Sequence, residues 1–254
     1  MLIGIALIVT GIIVGVMNSV AGGGTLLIFP VLMALGAPAL VANATSYVAV
    51  LPGRLSAIVG YWPFLKKLPK LYLLLLIPAL LGAIAGGFLL NSTSSKVFDS
   101  IVPLLLIFAL ILFAIQPWFK RHILYHIDKR HKKNNISIVL TAISLFIISM
   151  YGGYFGAGLG FALLALLGFN EKYKMHYLNG IKNVIGALTS IVVICMLFQS
   201  DIIHWEYGVY LAIGNIIGGY YGAKFSLKVP SHKIRWLVIG VGTITASYLM
   251  LSHI

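Results

Sequence analysis

Carboxylates are what this chain lacks most. Five Asp and Glu stand against 18 Lys and Arg in 254 residues, for a formal net charge of +13. None of the five lies inside an apolar run, and a chain without an intramembrane carboxylate lacks the usual means of relaying protons or binding cations. Charged residues of both signs make up only 9% of the chain, against about a quarter in soluble domains, which excludes an ordinary soluble fold. One cysteine, Cys195, excludes an intrachain disulfide. The chain also has no Gly-Lys-Ser/Thr phosphate loop, no Gly-x-Ser-x-Gly and no His-Glu-x-x-His, so no enzyme motif is present to support catalysis and no cofactor is implied.

What is there is hydrocarbon: 60% hydrophobic residues and a mean hydropathy of +1.03. Apolar segments run at 2–17, 25–35, 39–61, 71–90 and 101–118, then at 136–155, 159–169, 176–198, 207–223 and 234–251. The second of each set of five is about 11 residues, or roughly 16 Å of helix, too short to cross a core about 30 Å thick. Met1-Leu2-Ile3 enters the first run without a positive leader, so that run is read as a helix and not as a signal peptide.

The short segments follow glycine-rich stretches. Asn18-Ser19-Val20-Ala21-Gly22-Gly23-Gly24-Thr25 puts three glycines between apolar runs, a sequence that must break a helix. Broken backbone at membrane depth belongs where protein or a water-filled cavity surrounds it, and its N–H groups at a helix start attract anions. A degraded copy, Gly156-Ala157-Gly158-Leu159-Gly160-Phe161, recurs at a spacing of 136 residues (Val20 to Gly156), which also carries Asn43 to Asn179 and Ser46 to Lys182. The glycines of Gly82-Ala83-Ile84-Ala85-Gly86-Gly87 recur in Gly214-Asn215-Ile216-Ile217-Gly218-Gly219 at a spacing of 132 (Gly82 to Gly214). The chain reads as a tandem duplication. Glycines four apart, Gly11 and Gly15, Gly82 and Gly86, Gly152, Gly156 and Gly160, and Gly218 and Gly222, predict close helix contacts.

Charge orients the copies. If the short segments count as crossings, Lys66, Lys67, Lys70, the run from Lys120 to Lys133, Lys172, Lys174 and the basic residues from Lys224 to Arg235 share the cytoplasmic side, and only Lys96 faces out. An odd number of crossings per copy makes the copies inverted. The expected fold is thus an all-α membrane bundle of two inverted repeats, with about eight spanning helices and a short or re-entrant helix after each glycine break. It forms one membrane domain over 1–254: a first repeat at 1–118, a basic cytoplasmic linker at 119–135 and a second repeat at 136–254. Basic residues confined to such loops oppose a nucleic-acid partner.

Two cations fall inside apolar runs, Arg54 and Lys182. Snorkelling to the interface is the bland reading for both, and an anion site the functional one. Asn43, Thr45, Ser46, Asn179 and Asn183 add neutral hydrogen-bonding groups beside them. The candidate substrate-binding set is Gly22, Gly23, Gly24, Thr25, Asn43, Ser46, Gly158, Gly160, Phe161, Asn179, Lys182 and Asn183. In this set the backbone N–H groups of Gly23, Gly24, Thr25, Gly160 and Phe161 face an anion and Lys182 supplies charge. His122 and His126, four apart, carry the alternative of a metal-cation permease, while no resident metal is expected. A non-transport scaffold or sensor is the remaining alternative.

The glycine break, the following Phe29-Pro30-Val31-Leu32 and Leu35-Gly36, the pair Asn43-x-x-Ser46 and Asn179-x-x-Lys182, and the Gly82/Gly214 repeats together resemble the sulfite exporter (TauE/SafE) family over essentially the whole chain. The resemblance implies a bacterial plasma-membrane permease for sulfite, sulfonates or other organosulfur anions; the paired breaks would work by alternating access, the halves rocking around the site, with homo-oligomers left open. The second glycine motif departs from the first in that Ala157 and Leu159 interrupt its glycines.

Overall fold

The computed structural model describes residues 2–20, 22–67, 71–127, 138–168 and 175–225, together with Thr243. Among these residues the fold is entirely helical. In chain order the helices are α1 (Leu2–Val20), α2 (Thr25–Ala34), α3 (Ala39–Leu65), α4 (Leu71–Leu74), α5 (Leu76–Asn91), α6 (Ser95–Ile127), α7 (Ile138–Tyr154), α8 (Leu159–Gly168), α9 (Met175–Leu197) and α10 (Trp205–Lys224). Four are long and apolar enough to cross a membrane: α1, α3, the Ser95–Leu112 part of α6, and α9. Helices α2, α5 and α8 and the apolar part of α7 are shorter, at 10–17 residues. Apart from Thr243, the expected last segment, 234–251, lies outside the described residues, as does 128–135 of the expected linker. The first part of that linker is not a loop, because α6 continues as helix to Ile127.

Large apolar side chains point outward all round the bundle, among them Ile5, Phe88, Leu104 and Phe198. This is the surface of a protein solvated by lipid, where burial of apolar area gives helices no reason to associate. Close backbone packing must do it instead. Glycine supplies the approach. A Cβ on Gly15 of α1 would stand 2.6 Å from Asn215 O and 2.7 Å from Gly219 N of α10. One on Gly86 of α5 would stand 2.9 Å from Tyr154 N of α7, and one on Gly153 of α7 would stand 2.7 Å from Ala83 O of α5. Helix α1 thus packs on α10, and α5 on α7.

The row Gly152, Gly156 and Gly160 does not form such a stripe. Helix α7 ends at Tyr154 and α8 begins at Leu159, so the three glycines share no helical face. They meet Leu159, Tyr47 and Gly22 respectively.

Candidate functional site

The chain leaves α1 because Gly22 adopts φ +92°, a conformation costly for any residue with a Cβ. Gly22 N–H donates to Met17 O at 2.9 Å. The Asn18 side chain then turns back across the break, its Oδ1 accepting from Gly24 N–H at 2.8 Å. A Cβ on Gly24 would lie 2.8 Å from Val14 Cγ1 and 2.9 Å from Asn18 Cγ, so this glycine is required by space. The second break repeats the pattern. Gly158, at the position matching Gly22, adopts φ +83°, Tyr151 Oη donates to Ala157 O at 2.7 Å, and Phe161 N–H donates to Gly158 O at 3.0 Å.

The two breaks touch. A Cβ on Gly22 would lie 2.6 Å from Gly160 Cα, and Thr25 Oγ1 donates to Gly156 O at 3.2 Å.

Each broken helix leaves carbonyls without intrahelical donors, and side chains of α9 and α3 meet them. At the end of α1, Lys182 Nζ of α9 donates to Asn18 O (2.7 Å), Ser19 O (3.1 Å) and Asn179 Oδ1 (3.1 Å). Three acceptors match the three N–H groups of an ammonium. Asn183 Nδ2 donates to Asn179 O at 2.9 Å, and Tyr61 Oη of α3 adds a bond to Ser19 O at 3.2 Å. At the end of α7, Asn43 Nδ2 of α3 donates to Tyr154 O at 3.0 Å. Tyr47 Oη donates to Gly152 O at 2.7 Å and to Gly153 O at 3.2 Å. Ser46 stays within its own helix, donating to Asn43 O at 2.7 Å.

Between these two ends lies Arg54, whose Nη1 donates to Gly186 O and to Ser190 Oγ (2.7 Å) of α9. Arg54 and Lys182 are 5% and 3% exposed, so neither snorkels to an interface. Both hold neutral oxygens. The described carboxylates, Asp99, Asp201 and Glu206, all lie outside the buried core.

The sequence-expected residues therefore fall into three groups: Asn179, Lys182 and Asn183 around the end of α1, Asn43 and Ser46 near the end of α7, and Gly22, Gly160 and Thr25 where the breaks meet, while Gly24 faces Val14 and Asn18, Gly158 faces Ala109, and Phe161 N–H is bonded to Gly158 O. Two of the backbone donors expected to face an anion, Gly24 N–H and Phe161 N–H, are engaged within the protein. Sequence reasoning missed Asn18 as a site residue, along with Tyr47, Tyr61 and Ser190. A polar residue at the very end of an apolar run, directly before a glycine break, was the signal for Asn18. His122 and His126 lie on a stretch of α6 whose side chains are outside the described residues.

Apolar helices facing outward, packed through glycine, and broken at two touching points lined by buried polar groups are the construction of a multi-pass membrane transporter. The sequence profile of the sulfite exporter TauE/SafE family matches residues 7–249, and the chain belongs to that family of the cell membrane. It is 26% identical over 239 residues to a probable membrane transporter protein of Haemophilus influenzae, covering 90% of this chain and 87% of the relative. Against the probable membrane transporter protein YfcA of Escherichia coli K12 it is 26% identical over 245 residues, 93% of this chain and 85% of the relative. A probable membrane transporter protein of a Sinorhizobium species is 27% identical over 251 residues, 96% and 91% respectively. No solved structure matches the chain.

Proposed function

We propose that this transporter carries small oxyanions, with sulfite, sulfonates and related organosulfur anions as the first candidates, by alternating access of two inverted halves. The observation that carries the reading is the burial of Arg54 and Lys182 among neutral oxygens, with no buried carboxylate among the described residues. A cation entering this region meets two buried basic groups with no carboxylate to compensate them, and an anion favours both in their charged form. One unit charge about 6 Å from another, at an effective dielectric near 20, is worth about 3 kcal/mol. The same charges oppose the metal-cation alternative. Because its three N–H groups are already bonded, Lys182 acts on the anion through its charge.

The cross-capping supports inversion of the halves. Tyr61 meets the end of α1 and Asn43 meets the end of α7, and these two residues stand roughly 27 Å apart along α3. The broken helices α1 and α7, whose breaks touch, thus meet α3 at different points along its length. A substrate held at a contact between two helix breaks is what alternating access of paired repeats requires.

Uptake of labelled sulfite, thiosulfate and a sulfonate into proteoliposomes tests the reading. Wild type is expected to move at least one of them, and Lys182→Gln to weaken its binding by about a hundred-fold, the factor matching about 3 kcal/mol. Uptake of a divalent metal with none of the anions would overturn the proposal in favour of the metal reading, and uptake of nothing would favour the scaffold or sensor.

A further inference from the structure

Three buried side-chain atoms lack a hydrogen-bond partner among the described residues: Asn18 Nδ2, Ser149 Oγ and Asn215 Oδ1. Asn18 stands apart because it lies at the first helix break, and its orientation is fixed. Gly24 N–H donates to its Oδ1 at 2.8 Å, and the flipped amide would set N–H against N–H. The free amide hydrogens therefore belong to Nδ2, at a residue only 5% exposed. Leaving such a donor dry and unpaired shifts a folding equilibrium by about ten- to hundred-fold in the wrong direction.

Three features at this break favour a negatively charged acceptor. Lys182 Nζ sits on the carbonyl of the same residue, at 2.7 Å. It offsets the negative end of α1 that would otherwise repel an anion. The positive end of α2, a helix of 10 residues, opens at Gly24, the residue Asn18 holds. The opposite break has Tyr154 at the matching position, with its carbonyl taken by Asn43. An asparagine amide with an open donor is thus a property of the first break.

We infer that Asn18 is a substrate-contact residue, its Nδ2 donating to an oxygen of the transported oxyanion while Lys182 holds the adjacent carbonyl and supplies the charge. This rests on the oxyanion reading above. The two copies then differ in role. The first break touches the substrate through Asn18, and the second presents backbone against it at Gly160.

The test uses full-length protein in nanodiscs, titrated calorimetrically with sulfite, thiosulfate and ethanesulfonate. Asn18→Asp keeps an oxygen for Gly24 N–H and replaces the donor with a carboxylate oxygen. It is expected to melt close to wild type and to bind about ten- to hundred-fold more weakly. Asn18→Leu reads the same position should the Asp variant fail to fold or its added charge alone repel the anion, since it matches the amide in size and carries neither donor nor charge. Wild-type binding together with affinity within two-fold of wild type in the folded variant would overturn the assignment of Asn18 alone. Absence of wild-type binding to all three probes would overturn the oxyanion reading, and this assignment with it.

Discussion

At the end of α1, Lys182 performs two tasks that its chemistry lets one separate. Its three N–H groups cap backbone and amide oxygens, and its charge polarises the break. Lys182→Met removes both, leaving three buried acceptors short of a donor, and is expected to cost about 2–3 kcal/mol of stability. Lys182→Gln keeps an amide donor and is expected to lose less, while both variants lose anion affinity alike. Thermal unfolding in detergent alongside binding reads the two tasks apart. A Met variant as stable as wild type would show that Lys182 caps nothing of consequence. The sequence marked Lys182, because a cation in an apolar run stands out. It did not mark the partners, because Asn18 O and Ser19 O are backbone atoms and every residue has one. For the same reason the expected donors Gly24 N–H and Phe161 N–H looked available: what a neighbouring side chain or carbonyl occupies is decided only when the chain is folded.

Among the helices, glycine acts in two physically different ways. Gly160 sits where backbone meets backbone across the two breaks. Gly36, after α2, has φ +88° and open space around it. Gly36→Ala therefore costs only the strain of a left-handed residue, about 1–2 kcal/mol, and is expected to leave transport close to wild type. Gly160→Ala drives a Cβ into Gly22 and is expected to abolish transport, with either lost stability or a displaced α8. Uptake assays normalised to folded protein compare them, and equal tolerance of the two would remove any special role from the contact between the breaks. The pattern of glycines four apart did forecast close helix contacts, and the fold makes them between α1 and α10 and between α5 and α7, pairings the spacing does not specify. It misled at Gly152, Gly156 and Gly160, where the same spacing crosses the helix end at Tyr154. Spacing alone cannot show whether a helix is still running.

Across the whole molecule, charge and packing give a single expectation about sidedness. Helix α3 ends at Leu65, just before Lys66 and Lys67, α5 runs from Leu76 to Asn91, and α6 starts at Ser95 beside Lys96. Lys66 and Lys96 are thus separated by the length of α5, at least about 24 Å at 1.5 Å per residue, enough to put them in different headgroup layers. Helix α10 repeats the arrangement, with Glu206 in its first turn and Lys224 in its last. Under the inverted arrangement Lys66 and Lys224 face the cytoplasm, while Lys96 and Glu206 face out. Cys195 is the only cysteine, so Cys195→Ser gives a clean background for Lys66→Cys, Lys96→Cys, Glu206→Cys and Lys224→Cys. A membrane-impermeant thiol reagent applied to intact cells is expected to label the variants at 96 and 206 and to spare those at 66 and 224 until the membrane is opened. Labelling of 96 and 224 together from outside would make the halves parallel. That outcome would overturn the inverted arrangement proposed above, and with it the exchange of access between two inverted halves.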